Sequence, residues 1–161
     1  MSETTFLNHF INKSVNFRFH GQDLRFHLSQ SLFSSHDIDH GTRLLLKTVA
    51  RGIEFDGVKS LLDVGCGIGV LGISLKKRHP NLGVTFQDRD ALALSFTEMN
   101  SNLNGVGKIE LGHDLALDGL EGKKYDLIVS NLPGKAAPPV LKQIVKRIPG
   151  SLTEAGRAAV A

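Results

Sequence analysis

Asp63 stands two residues ahead of four glycines packed into eight positions, Gly65, Gly67, Gly69 and Gly72, within LLDVGCGIGVLGISL. Glycines at that density let the backbone bend where side chains would clash, and let main-chain N–H groups come close to a ligand. Two further acids, Asp88 and Asp114, follow at a distance. Such a set can do one of two things. The N–H groups of the bend can hold a phosphate, or the carboxylates can hold hydroxyls and a positive charge.

Taken literally, Gly67, Gly69 and Gly72 satisfy the G-x-G-x-x-G pattern of dinucleotide binders, and Asp88 lies 21 residues beyond Gly67, about where a ribose-binding acid belongs. A nicotinamide-dependent oxidoreductase is therefore a real alternative. Asp63 argues against it, because a carboxylate beside the bend would repel a pyrophosphate and attract a ligand carrying sulfonium and ammonium groups. S-adenosyl-L-methionine (AdoMet) is such a ligand and has no phosphates. The acids fall at or just beyond the ends of successive predicted strands, so the three should line one crevice, near the methionine moiety, the ribose and the adenine respectively. Their ordinary structural role would be capping helix N-termini, which Asp90 fits best.

The elements that must position these residues alternate. VNFRFHGQDLRFHL at 15 to 28 reads as a β-hairpin, with Val15, Phe17 and Phe19, then Leu24, Phe26 and Leu28, on one buried side about a Gly21-Gln22-Asp23 turn. GTRLLLKTVARGI follows as a helix with Leu44, Leu45 and Val49 inward. Strand-like runs at 59 to 64, 83 to 87, 108 to 111, 125 to 130 and 157 to 161 are separated by helical stretches near 69 to 79, 90 to 103 and 135 to 147. That alternation implies an α/β fold, a mostly parallel, Rossmann-like sheet covered by helices on both faces.

The chain has 161 residues, 41% of them hydrophobic and 22% charged, the balance of a single globular domain spanning 1–161, with 1–30 as an N-terminal extension and hairpin and 31–161 as the core. No apolar stretch is long enough for a membrane span and no secretion signal is visible at the start, so the expectation is a cytoplasmic protein. The single cysteine, Cys66, leaves no intrachain disulfide or thiolate metal cluster, and reads as a small packing residue. His36 and His40 lie four apart beside Asp37 and Asp39, but in a loop and with no second ligand pair, so no metal is expected. The net charge of +3 is mild and scattered, more a solvated surface than a nucleic-acid footprint.

D-V-G-C-G-x-G at 63 to 69, Q-D-R-D at 87 to 90 and D-L-I-V-S-N-x-P at 126 to 133 resemble the motifs of class I AdoMet-dependent methyltransferases. LFSSHDIDHGTRLLL at 32 to 46 resembles the leading segment of the "methyltransferase small" domain of ribosomal RNA guanine-N2 methyltransferases. The resemblance implies that Gly65, Gly67 and Gly69 pass close to the methionine part, with Asp63 beside them. It implies that Asp88 holds the ribose, and that Asp114 with the adjacent Leu115 reaches the adenine. Phe33, Asp39 and Thr42 would lie in the segment lining the cofactor pocket.

Methyl transfer from a sulfonium is an in-line displacement, for which an enzyme must mainly hold the acceptor opposite the S–C bond. The family uses an N-P-P-aromatic type of motif to accept hydrogen bonds from a base amine and stack on the base. This chain has Asn131-Leu132-Pro133-Gly134, which keeps Asn131 and Pro133 as candidate catalytic residues and lacks the ring. The N-L-P form also resembles some tRNA guanine-N1 methyltransferases. The resemblance thus implies an AdoMet-dependent methyltransferase acting on a guanine nitrogen of RNA, ribosomal RNA first. A non-catalytic AdoMet-binding module is the other alternative. The family fold continues beyond the fifth strand, so the sequence reads as truncated there, and the final apolar strand is expected to be paired or covered, a homo-oligomer being one way.

Overall fold

The computed structural model describes residues 3–32, 36–132 and 136–161; Phe33 and Pro133 lie outside the described residues. A short helix α1 (Glu3–Asn8), which the sequence did not suggest, leads into the antiparallel hairpin β1 (Lys13–Phe19) and β2 (Gln22–Leu28). Phe17 faces Leu24 and Val15 faces Phe26, as the alternation requires. The turn is His20-Gly21, not Gly21-Gln22-Asp23: both residues have positive φ, 46° and 80°, the two-residue turn whose twist suits a tight hairpin.

Helix α2 (His40–Gly52) buries Leu45, Leu46 and Val49, whereas Leu44, expected inward, is exposed. One helical step is 100°, so of the three consecutive leucines only two fit the buried stripe. Then β3 (Ser60–Val64), α3 (Val70–Arg78), β4 (Gly83–Gln87), α4 (Ala91–Leu103), β5 (Ile109–Gly112), β6 (Tyr125–Ser130), α5 (Pro138–Arg147), a 3-10 turn (Ile148–Ser151) and β7 (Leu152–Val160) complete the chain. The five later strands form one parallel sheet in the order β5-β4-β3-β6-β7. β7 starts five residues earlier than expected; its register shifts opposite Tyr125–Leu127, and Gly156 packs where a Cβ would come within 2.8 Å of the Tyr125 carbonyl.

The two sheet faces are covered unequally. On one, the hairpin, α2, α3 and α4 close over Leu61, Val84, Phe86, Leu127 and Val129. Helix α3 is buried almost all round because it lies beneath both the sheet and the hairpin, which is why its apolar residues show no single stripe. On the other, Leu117, Leu120 and Ile148 cover Leu62, Val64 and Ile128, and α5 contributes no buried residue. At the amino edge, Asp126 ties three strands, accepting from the Lys59 and Ser60 amides and the Ser60 and Thr153 hydroxyls; those bonds, the Lys59 amide first, hold its carboxyl below the usual range.

Candidate cofactor and acceptor site

The strand order reverses between β3 and β6, and ligands of such sheets bind outside the carboxyl ends at that switch point. Asp63 belongs to β3 itself, next to its last residue, and is 1% exposed. Its Oδ2 accepts from the Gly72 amide in the first turn of α3 at 2.9 Å, while its Oδ1 is buried with no partner. Burial, with Asp88 adding its charge, raises the carboxyl to about 7 against the bond from Gly72. Asp63 is thus not the fixed negative charge expected at the bend, but a buried carboxyl that holds its proton well above the usual carboxylate range.

Asp88 sits directly beyond β4 and reaches back to the turn, its Oδ2 accepting from the Gly67 amide at 2.9 Å and its Oδ1 from the Asp90 amide at 3.0 Å. Asp90 caps α4 as anticipated, accepting from Leu92. Three other turn amides are engaged as well. Gly65 and Cys66 donate to the Gln87 carbonyl, and Gly69 donates to the Cys66 carbonyl. Gly65, Gly67 and Gly69 all have positive φ (65°, 56° and 86°), which is the reason for glycine here.

Three polar side chains that the sequence did not single out brace the site, two holding this turn from α4 and one, on β4, holding the loop after β5. Thr97 donates to the Gly67 carbonyl at 2.9 Å, and Asn100 donates to the Ile68 carbonyl at 3.1 Å while pairing with both backbone groups of His27 in the hairpin. Gln87 donates to the carbonyls of Ala116 and Asp118, fixing the loop after β5. The spacing of Thr97, Asn100 and Asn104 along one helix face was the available signal. Cys66 is packing, as expected: its thiol is buried, 3.5 Å from the Thr97 hydroxyl, and burial pushes it well up.

Asp114 is exposed, two residues past β5, and its carboxylate lies against Gly119, where a Cβ would come within 2.5 Å of Oδ2. The structure thus joins Asp63 and Asp88 at the turn and leaves Asp114 in a separate loop beside the β4 end, where His113 bonds the Arg89 carbonyl and the Asp88 backbone amide donates to the Gly112 carbonyl. Leu115 is exposed in the same loop.

Asn131 follows β6, across the switch point from Asp63. Its Nδ2 donates to the Asp39 carboxylate at 2.7 Å and to the Thr42 hydroxyl at 3.1 Å. Asp39 also caps α2 through the Thr42 amide, so the start of α2 bears directly on Asn131. His36 and His40 are exposed, and no group of three or more metal-ligating residues occurs among the described residues.

A five-stranded parallel sheet with a glycine bend at its switch point defines a Rossmann-like α/β protein. The chain belongs to the methyltransferase small domain family, whose model matches residues 23–160. A ribosomal RNA small subunit methyltransferase C of Haemophilus influenzae is 37% identical over 112 residues, covering 70% of this chain and 32% of the relative. The chain spans about a third of the length of that relative. Among solved structures, a 16S rRNA guanine-N2 methyltransferase of T. thermophilus in complex with AdoMet and guanosine matches with a TM-score of 0.80 and 21% identity, over 92% of this chain and 41% of that one. A ribosomal protein L11 methylase of Lactobacillus delbrueckii subsp. bulgaricus matches with a TM-score of 0.65 and 26% identity, over 83% of this chain and 64% of that one.

Proposed function

We propose that this chain binds AdoMet and transfers its methyl group to a guanine nitrogen of RNA, ribosomal RNA first. The observation that carries the reading is the occupation of the turn. The amides a pyrophosphate would need at Gly67 and Gly72 already donate to the chain's own Asp88 and Asp63. A dinucleotide would find these amides taken and the Asp88 carboxylate beside them, whereas a cationic nucleoside gains from that charge.

AdoMet, when bound, supplies an electrophilic methyl on a sulfonium. The residues present suit it. The orphaned Asp63 Oδ1 is a buried acceptor that an ammonium donor would satisfy, and each oxygen of Asp88 retains a lone pair for a ribose hydroxyl beside its backbone bond. Gly65, Gly67 and Gly69 let the chain pass close beneath the methionine part, and Asp114 and Leu115, on the loop beyond Asp88, border the adenine. Asn131, with Pro133 after it, holds the acceptor amine in line with the S–C bond, so positioning carries the rate. The relative named above as a small-subunit rRNA methyltransferase supports the substrate class.

Comparing thermal stabilisation by AdoMet, S-adenosylhomocysteine and NAD tests the cofactor, since only a ligand of the native state raises the midpoint. Stabilisation by NAD and not by AdoMet refutes the reading. Labelled AdoMet offered with unmodified ribosomal RNA tests transfer; AdoMet binding without incorporation leaves a binding module. We also propose one domain over 1–161 and a paired outer edge of β7, a second copy being one partner; a stable monomer in the ultracentrifuge counts against that pairing. No helix among the described residues is long and apolar enough to cross a membrane, which fits work in the cytoplasm.

A further inference from the structure

We propose that Asp39 and Thr42 are positioning residues that fix which end of the Asn131 amide meets the acceptor base, with Gly41 providing the clearance; this rests on Asn131 being the acceptor contact. An asparagine amide has a donor end and an acceptor end of nearly equal shape, so packing alone does not choose between them. A base amine can be held only by the oxygen. Asp39 decides the matter, because a carboxylate only accepts: the 2.7 Å contact to it must be Nδ2, and the Thr42 hydroxyl takes the same nitrogen at 3.1 Å. Both Nδ2 protons are then engaged. Oδ1 accepts no hydrogen bond among the described residues and remains the only free functional end of the side chain.

Gly41 explains how the three residues come so close. A Cβ at that position would lie 2.9 Å from both Asn131 Oδ1 and Asp39 Oδ2, closer than real Cβ contacts run, so any other residue would push the amide away from the helix end. The sequence D-x-G-T at 39 to 42 thus caps α2 and at the same time clamps the residue that follows β6, 92 positions away from Asp39.

The test separates the clamp from the cap. Serine caps as well as aspartate but is too short to reach Asn131, so Asp39→Ser with Thr42→Val removes both acceptors for Nδ2 and keeps the helix start. In nitrogen-15-labelled protein, the Asn131 side-chain amide protons should exchange slowly in the wild type and at least about tenfold faster in the double variant, as expected when a charge-assisted bond is lost. In methyl transfer to RNA, the double variant should lose about tenfold in kcat, a larger factor than any change in the AdoMet Kd. Unchanged amide exchange in the double variant overturns the proposal, as does a wild-type kcat where Asn131→Ala has lost activity. If Asn131→Ala itself transfers normally, the assignment of Asn131 to the acceptor fails instead, and the clamp loses its catalytic purpose with it.

Discussion

Replacing Asp63 by asparagine should remove a specific pH dependence from the protein's stability. The Asp63 carboxyl sits at about 7 in the folded chain against 3.8 in an unfolded one, because burial outweighs the bond from Gly72. Between those values the folded state holds a proton that the unfolded state has released, so stability must fall as pH rises through the interval. At 1.36 kcal/mol per pH unit, the interval from 3.8 to about 7 amounts to about 4 kcal/mol. The contribution is complete below pH 3.8 and gone above about 7, the reverse of an ion-paired carboxylate. Urea unfolding of wild type and Asp63→Asn from pH 4 to 8 isolates it, since every other titration cancels in the difference. The variant should gain on the wild type by about 4 kcal/mol across that range, about 10 °C in midpoint for a chain of this size. Difference curves flat to within about 1 kcal/mol would show that Asp63 ionises normally and refute the reasoning. The same linkage reaches the ligand: at pH 6, AdoMet binding should release a proton from Asp63, detected as a dependence of calorimetric heat on the buffer's ionisation enthalpy.

Asp88→Ala should weaken AdoMet binding by about 1–3 kcal/mol through lost charge-assisted bonds to the ribose, and calorimetric affinity equal to wild type would place the ribose elsewhere. Gly72→Ala should destabilise the fold by about 1–3 kcal/mol, because its Cβ would lie 2.3 Å from the Phe86 ring; an unchanged urea midpoint would contradict that packing. Asn100→Ala should cost about 2–4 kcal/mol, since it strands buried backbone groups of His27 and Ile68 at once, and amide exchange should quicken in both the hairpin and the glycine turn. Quickening in the hairpin alone would show that the two are not coupled through this side chain.

The parallel core was legible because its strands are dense in branched and aromatic residues between turn formers: GVTFQ and YDLIVS give β4 and β6 at their observed limits. β7 was legible only in its second half, where RAAVA is apolar; Gly156 hides the first half, whose pairing is set by the neighbouring strand rather than by its own composition. Within the site, residue types pointed to Asp63 and Asp88, and the family resemblance to Asn131, but neither carries burial. Asp63 reads as a charge in the sequence, and only its enclosure by the sheet and α3 makes it a proton-binding group near neutrality. The partner of Asn131 lies on an element far away in sequence, a relation that periodicity cannot report.

The hairpin follows from the same argument about occupied groups. A glycine turn gains close approach at the cost of stiffness, so something outside it must hold its carbonyls still. Thr97 and Asn100 do this from α4, and Asn100 is fully buried because β2 lies over it and supplies the His27 amide and carbonyl for the rest of its side chain; Asn104 repeats the pairing with Arg25. A helix face carrying Thr97, Asn100 and Asn104 could not be buried under an apolar cover without leaving those amides unsatisfied. The exposed backbone edge of a β-strand is the cover that satisfies them. The hairpin thereby becomes part of the frame of the glycine turn, through backbone groups of β2.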